Sequence, residues 1–409
     1  MGDGLRIGLL GSGFIAGFHL QALQAVRDAT VTVIHSPTAA HRERAAAQAD
    51  ALGLGPCRAA PTVDDLVTAD DVDAVFILGP NGTRLEHMRA IHAAVTSGRT
   101  TLRGVACEKP LARTLGEARE MQRLAEDAGL AHAYLENQVF APSVMRGKEI
   151  LWRRAAAVAG RPYLARAAEE HSGPHEPWFW RGEEQGGGVL LDMMCHSVEV
   201  ARHLLTAPDA DRASLRVVSA SGTTATLKWS RPEYVERLRG AMGPTVDYAH
   251  APAEDFARGT ITLEDADGHP LVIEASTSWA YVGPGLRIAI EVMGPEYSLD
   301  INTLSTTTRL FLSREVTGSS GEDLVEKQNA EHGLMPILDD EAAAYGYVAE
   351  DRHVVRSFLD GTPPLETFAD GVAVIEILMA LYRSAELGRT VTLPDAELEH
   401  YVPVVARPR

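Results

Sequence analysis

Between residues 5 and 136 the chain alternates short apolar runs with longer amphipathic ones, and no other feature restricts its fold as much. The apolar runs fall at 6–10, 31–35, 74–78, 101–107 and 131–135, with Ala- and Arg-rich segments such as 39–52 and 115–128 between them. Short apolar runs read as strands and the intervening segments as crossover helices, which is the pattern of a parallel sheet wrapped by helices. After Pro142 the pattern changes. One more helical stretch runs to about 158, a strand-like run follows at 163–168, and a loop rich in Pro, Trp and Gly occupies 172–188. Beyond a helix predicted over 189–205, strand-like runs dominate, at 215–221, 258–263, 270–278, 286–293, 297–301 and 307–312. A mostly antiparallel sheet accommodates them most economically. Residues 316–347 read as a long excursion, and helical periodicity returns at 351–359 and 371–387.

Composition narrows the function classes. A chain of 409 residues has room for two or three domains, and 45% hydrophobic with 23% charged residues is ordinary for a folded globular protein. Lys and Arg number 38 against 56 Asp and Glu, a formal charge of −18 that repels a phosphate backbone, so no nucleic-acid partner is expected. No apolar stretch approaches a membrane span, and the first residues lack the basic and apolar regions of a signal peptide. The expectation is a cytoplasmic protein without a membrane partner. Cys57, Cys107 and Cys195 match neither a disulfide framework nor a zinc site, so they read as reduced thiols and no metal is expected.

Directly after the first strand comes Gly11-Ser12-Gly13-Phe14-Ile15-Ala16, leading into an amphipathic helix. Glycine at the first two places permits a tight turn and lets the backbone approach a pyrophosphate seated on the positive end of the helix. The fold class is therefore α/β plus α+β: an N-terminal Rossmann dinucleotide-binding domain, then a domain built on an open, mostly antiparallel β-sheet. Typical NAD sites carry an Asp or Glu at the end of the second strand, but this strand ends Val33-Ile34-His35-Ser36-Pro37-Thr38. Ser36, Thr38 and Arg42 could accommodate a 2′-phosphate, so NAD(H) is expected with NADP(H) left open.

At Val72-Asp73-Ala74-Val75-Phe76-Ile77-Leu78-Gly79-Pro80-Asn81 and Cys107-Glu108-Lys109-Pro110-Leu111 the sequence resembles the glucose-fructose oxidoreductase / inositol dehydrogenase / MocA (Gfo/Idh/MocA) family. The resemblance implies that Pro80, Asn81, Glu108 and Lys109 flank the cofactor, with Lys109 beside the nicotinamide and the substrate carbon. An ammonium there can donate to an oxygen as charge develops on it. The similarity continues through Glu136-Asn137-Gln138-Val139-Phe140-Ala141-Pro142, where Val139 replaces an arginine that members often carry. It continues again through Gly186-Gly187-Gly188 and the run from Val189 to His196, which look like the family's glycine turn and D-x-x-x-H helix. Spacing of i, i+4 puts Asp192 and His196 on one helix face, where the histidine can move a proton and the carboxylate can orient it or bind a hydroxyl. The domains expected are 1–136 for the nucleotide, 137–393 for substrate and oligomerisation, with the closing helix 371–387 able to return to the first domain, and 394–409 as a tail. Members commonly associate through the open sheet of the second domain, so the resemblance implies a homodimer or homotetramer.

The cofactor-binding candidates are thus Gly11, Gly13, Phe14, Ile15, Ser36, Arg42, Pro80, Asn81, Glu108, Lys109 and Asn137, and the catalytic candidates Lys109, His196 and Asp192. Just ahead of the glycine turn, 169–181 holds two Trp, a Phe, two His and an Arg in a chain that is 6% aromatic. Aromatic faces suit the C–H faces of a sugar ring, which makes Gln138, His171, His175, Trp178, Trp180, Arg181 and Asp192 the substrate candidates. A packed aromatic loop is the structural alternative; Trp279 and Tyr281 are weaker candidates, and Asp247, Glu254 and Asp255 read as a solvated acidic face. The expected activity is hydride transfer between a ring carbon of a sugar, cyclitol or glycoside and nicotinamide, with His196 taking the hydroxyl proton and Lys109 polarising the oxygen, or the reverse. A redox-neutral NAD-dependent glycosidase, acting by oxidation, elimination, hydration and reduction, is the alternative. A non-catalytic nicotinamide sensor is the third reading.

Overall fold

The computed structural model describes residues 4–244, 246–250, 253–312, 325–328 and 332–407. It divides into two compact units, one of 1–142 with 345–375 and one of 143–344 with 376–409.

The first unit holds a six-stranded, wholly parallel sheet: β1 (Leu5–Leu10), β2 (Ala29–His35), β3 (Arg58–Ala60), β4 (Ala74–Ile77), β5 (Gly104–Glu108) and β6 (Ala131–Leu135), in spatial order β3-β2-β1-β4-β5-β6. Helices α1 (Phe14–Leu23), α2 (Ala39–Ala51), α3 (Val63–Val67), α4 (Asn81–Thr96) and α5 (Leu115–Asp127) alternate with the strands. β4 and β5 are buried at every position, as strands covered on both faces must be, which is why their sequences are almost unbroken apolar runs. The strand order reverses between β1 and β4, so a crevice opens at the C-terminal ends of those strands. A helix over Tyr347–Asp360 belongs to this unit: its Val354, Val355 and Phe358 join the core formed by Leu5, Ile7, Leu9 and Leu20. The second part of the first unit therefore departs from the expected boundaries, because apolar side chains from 345–375 complete a core that the first 142 residues leave open.

The second unit is built on a seven-stranded mixed sheet of β7 (Leu164–Glu170), β8 (Arg216–Ala225), β9 (Phe256–Glu264), β10 (Pro270–Ser278), β11 (Arg287–Gly294), β12 (Tyr297–Asn302) and β15 (Val391–Thr392). Its order is β12-β11-β7-β10-β9-β8-β15, and every neighbouring pair is antiparallel except β7 with β10. A separate ribbon pairs β13 (Thr308–Leu312) with β14 (Gly333–Ile337). The helix Val189–Leu205, buried along its whole length, lies on one face of the sheet against β7, β9, β10 and β11. Residues 394–409, expected as a tail, belong to this unit. The helix Phe368–Leu387 crosses the division of the chain at residue 375. Of the expected excursion at 316–347, positions 316–324 and 329–331 lie outside the described residues.

Candidate active site

In the first unit the loop after β1 is shaped by Gly11, at φ +134°, where a Cβ would come within 2.8 Å of the Leu78 carbonyl carbon and 2.9 Å of the Gly79 nitrogen. Only glycine lets the ends of β1 and β4 approach this closely. Gly13 then caps α1 without a side-chain bond, no acidic residue occupies the first turn, and a Cβ at Gly13 would meet nothing within 4 Å. The helix start is thus an open cradle of backbone N–H groups at the positive end of a dipole, which fits a pyrophosphate. Phe14 is 49% exposed at its mouth and Ile15 is half-buried. Beside the Gly79 turn the His87 ring, pushed by burial to a pKa of about 4, keeps its Nδ1 without a partner among the described residues. A neutral imidazole with a spare ring nitrogen suits a bound nucleotide.

At the end of β2 the loop is held by its own polar side chains. His35 Nδ1 lies 3.0 Å from the Ala60 carbonyl, Ser36 is buried, and the Arg42 guanidinium donates to the carbonyls of Ser36 and Pro37 at 3.1 and 3.2 Å. Arg42 thereby holds the loop where a nucleotide ribose would be read.

Pro80 precedes α4 and Asn81, buried, begins it. Three residues on, the buried Arg84 donates to the carbonyls of Gly79, Glu108 and Pro110. This side chain, absent from the sequence-based candidates, straps the β4 loop to the Glu-Lys-Pro segment and so fixes the backbone on both sides of Lys109. Lys109 itself is half-buried at the end of β5. Glu108 is buried and lies 3.2 Å from His19 Nε2. Burial raises the Glu108 pKa, but the His19 hydrogen bond and charge outweigh it, with Lys109 and Arg84 adding, and the group stays a carboxylate. Asn137 and Gln138 are buried in a 3-10 turn after β6, where Asn137 Nδ2 donates to the Tyr345 carbonyl at 2.8 Å. Asn137 therefore supports the returning segment of its own unit.

In the second unit the start of the helix Val189–Leu205 is capped by a residue remote in sequence. Glu254 accepts from the backbone N–H of Gly188 at 3.0 Å and of Leu190 at 3.1 Å, and the Tyr382 hydroxyl donates to it at 2.5 Å. Burial pushes the Glu254 pKa up to about 7 against these hydrogen bonds. On the next turns Asp192 and His196 are 6% and 4% exposed. Trp279 Nε1 donates to Asp192 Oδ2 at 3.3 Å. The Trp279 ring packs at 5.1 Å on Trp180, which in turn meets Trp229 at 5.6 Å and Tyr248 at 6.2 Å.

Two readings need correction here. Trp180 is 1% exposed, a core side chain of this aromatic cluster rather than a wall of a pocket. Glu254 and Asp255 are buried, and Asp255 accepts from the N–H groups of Leu227, Lys228 and Trp229; of the expected acidic face only Asp247 is solvated. Both carboxylates are buried because backbone donors satisfy them. The other loop candidates are dispersed. His171 is buried and accepts from Gly173 N at 2.9 Å, Trp178 stacks on Phe179 at 3.8 Å, and Arg181 pairs with Glu184 at 2.8 Å. His175 lies 3.0 Å from Lys327 Nζ; burial and that ammonium push its pKa to about 4, and it also feels the Asp192 charge.

A doubly wound parallel sheet with an open, uncapped helix start, joined to a sheet unit carrying a buried Asp/His pair, defines a nucleotide-dependent oxidoreductase. Two family profiles match the chain: the one described as an oxidoreductase family with an NAD-binding Rossmann fold over 5–134, and the GFO/IDH/MocA C-terminal domain over 154–300. The protein belongs to the Gfo/Idh/MocA family, and its first domain is of the NAD-binding Rossmann kind. It is 34% identical to 1,5-anhydro-D-fructose reductase of Ensifer adhaerens, over 51% of this chain and 59% of that one. It is 25% identical to levoglucosan dehydrogenase of Pseudarthrobacter phenanthrenivorans, over 96% and 98%. Among solved structures, GenD2 from gentamicin A biosynthesis in complex with NAD matches with a TM-score of 0.77 at 26% identity, over 97% of this chain and 98% of that one. Among the described residues no helix is long and apolar enough to cross a membrane.

Proposed function

We propose that this protein transfers hydride between a ring carbon of a sugar, cyclitol or glycoside and NAD, with NADP as the cofactor to be compared. The observation that carries the proposal is the Asp192/His196 pair, one helical turn apart and buried, with an indole N–H holding the carboxylate, in a chain that also carries the family's NAD-binding domain. Its relatives include enzymes named for anhydro sugars, glucosides and inositols. When bound, nicotinamide supplies the hydride acceptor or donor. His196 takes the proton of the substrate hydroxyl, and Asp192 positions the substrate and the histidine. Lys109, its backbone fixed by Arg84, donates to the substrate oxygen as negative charge grows there. His175, neutral near pH 7, would meet a polar ring substituent and Trp178 a C–H face.

The test is absorbance of reduced cofactor while free sugars, cyclitols and glycosides are offered with NAD or NADP, with products followed by mass spectrometry. Stoichiometric reduced cofactor supports the proposal and identifies both reactants. Glycoside cleavage without net reduced cofactor would identify a redox-neutral glycosidase instead. Lys109→Ala and His196→Ala should each lower kcat by roughly two to four orders of magnitude while NAD affinity changes little, and near-normal turnover in either variant removes that residue's role.

A further inference from the structure

A buried ionisable group in the NAD-binding unit is left over by the hydride chemistry. His19 in α1 and Glu350 and Asp351 in the helix Tyr347–Asp360 are all 0% exposed. His19 Nδ1 lies 2.9 Å from Asp351 Oδ1, and one donor atom from each of His19, Glu350 and Asp351 lies within 4.8 Å of the other two. Three oxygens of these two carboxylates, Glu350 Oε1 and Oε2 and Asp351 Oδ2, are buried with no hydrogen-bond partner among the described residues. A buried carboxylate that receives no donor loses its hydration without compensation unless it takes up a proton or a positive charge sits against it. Glu350 is the telling member, because it is fully buried, aimed at a histidine and a second carboxylate, and held there by no hydrogen bond of its own.

We propose that His19, Glu350 and Asp351 bind a divalent transition-metal cation of the zinc type, as a structural ion of the NAD-binding unit. The donors are one imidazole nitrogen and two carboxylates, and an unpartnered second carboxylate oxygen would fill the fourth place of a zinc ion. Magnesium favours six oxygens and keeps several waters, and a shell with 0% exposure at all three residues offers little room for them. The other ring nitrogen of His19 completes the arrangement: Nε2 lies 3.2 Å from Glu108 Oε1, so the N–H on that side faces a carboxylate, and Nδ1, which meets Asp351 Oδ1 at 2.9 Å, would ligate once the ion displaces its proton. A ligating histidine that donates its second N–H to a carboxylate is the usual outer partnership of such sites. The ion would tie α1, which begins at the nucleotide cradle, to the helix that returns to this unit from late in the chain. None of the three ligands is a residue of the proposed hydride chemistry, so this site and that reaction stand or fall separately.

The experiment uses the full-length protein expressed in zinc-supplemented and in zinc-depleted medium, washed briefly with chelator, with metal measured by inductively coupled plasma mass spectrometry and stability by thermal unfolding. The wild type from supplemented medium should carry one zinc per chain and melt higher than the depleted protein. Glu350→Gln and Asp351→Asn should each lower zinc content roughly tenfold or more and abolish the difference in Tm between the two media. Zinc in the wild type no higher than in a folded Glu350→Gln protein, or zinc retained by both variants, overturns the proposal. Should neither variant fold, the wild type decides alone, because less than stoichiometric zinc after supplemented growth also overturns it.

Discussion

The Asp192 carboxylate is oriented by an indole 87 residues away in the sequence, and that indole is in turn packed into an aromatic cluster rather than left to solvent. Trp279→Phe keeps most of the ring and removes the N–H. A neutral-to-charged hydrogen bond of this kind contributes about 1.5–3 kcal/mol, so kcat/KM for the preferred substrate should fall roughly tenfold to a hundredfold with NAD affinity unchanged. Steady-state kinetics and a cofactor titration on the same preparation check it, and an unaltered kcat/KM would mean that Asp192 needs no such partner. Lys109, Asp192 and His196 stand out in the sequence because they sit in short contiguous motifs. Trp279 drew attention only as an aromatic at a strand end, and Arg84 drew none, since a lone arginine in a helical stretch looks like surface. What makes Arg84 a structural centre is three carbonyls contributed by two different loops. Glu254 and Asp255 were misread for the same reason: charge alone suggests solvent, and the backbone donors that receive these carboxylates lie 26 to 66 residues away.

At the scale of elements, the helix Val189–Leu205 borrows its N-terminal cap from Glu254 and Tyr382. Glu254 titrates at about 7 in the folded protein, above its ordinary value of 4.5, so the native state holds this proton more tightly than the unfolded chain does. Its contribution to stability is full below the unfolded pKa and is lost as pH rises through about 7, a change on the order of 3 kcal/mol. Glu254→Gln keeps the acceptor for Gly188 and Leu190 and removes the charge. The variant should show a smaller loss of Tm between about pH 5 and about pH 8 than the wild type, and an equal loss in both would exclude Glu254 as the source. The buried strands β1, β2 and β4 to β6 were readable as apolar runs, and the helix over 189–205 by its periodicity. β3 was not: three residues, one of them an exposed arginine, carry no pattern above a loop. The helix Pro232–Met242 was missed because its apolar stripe is short, with only Val235 and Leu238 buried.

For the whole molecule, the sheet of the second unit has one face covered by the helix Val189–Leu205, and the other carries Arg166 paired with Glu274 at 2.7 Å and with Glu291 at 3.4 Å. Half-exposed Ala168, Ser276 and Ala289 leave that face low between the charged side chains. We propose that it joins copies of the chain into a homodimer or homotetramer. Light scattering during gel filtration should give a mass that is a multiple of the 44.0 kDa chain, and Ala289→Arg should lower it towards one chain. A wild-type mass of one chain would end the proposal. The two-unit plan itself was visible in the switch of pattern after Pro142, but nothing local marks 345–375 as part of the first unit, since a helix periodicity says that one face is buried and not which core receives it.

That late return sets an order on biosynthesis. The first 142 residues leave the ribosome carrying the whole parallel sheet, yet Val354, Val355 and Phe358, which close its core, emerge more than 200 residues later. At a translation speed of roughly 5–20 residues per second, the nascent nucleotide half waits on the order of tens of seconds with apolar surface unsealed. A gene fragment cut at the visible pattern switch would perpetuate that wait, and for this chain the nucleotide module is not a prefix that can be lifted out and grafted elsewhere.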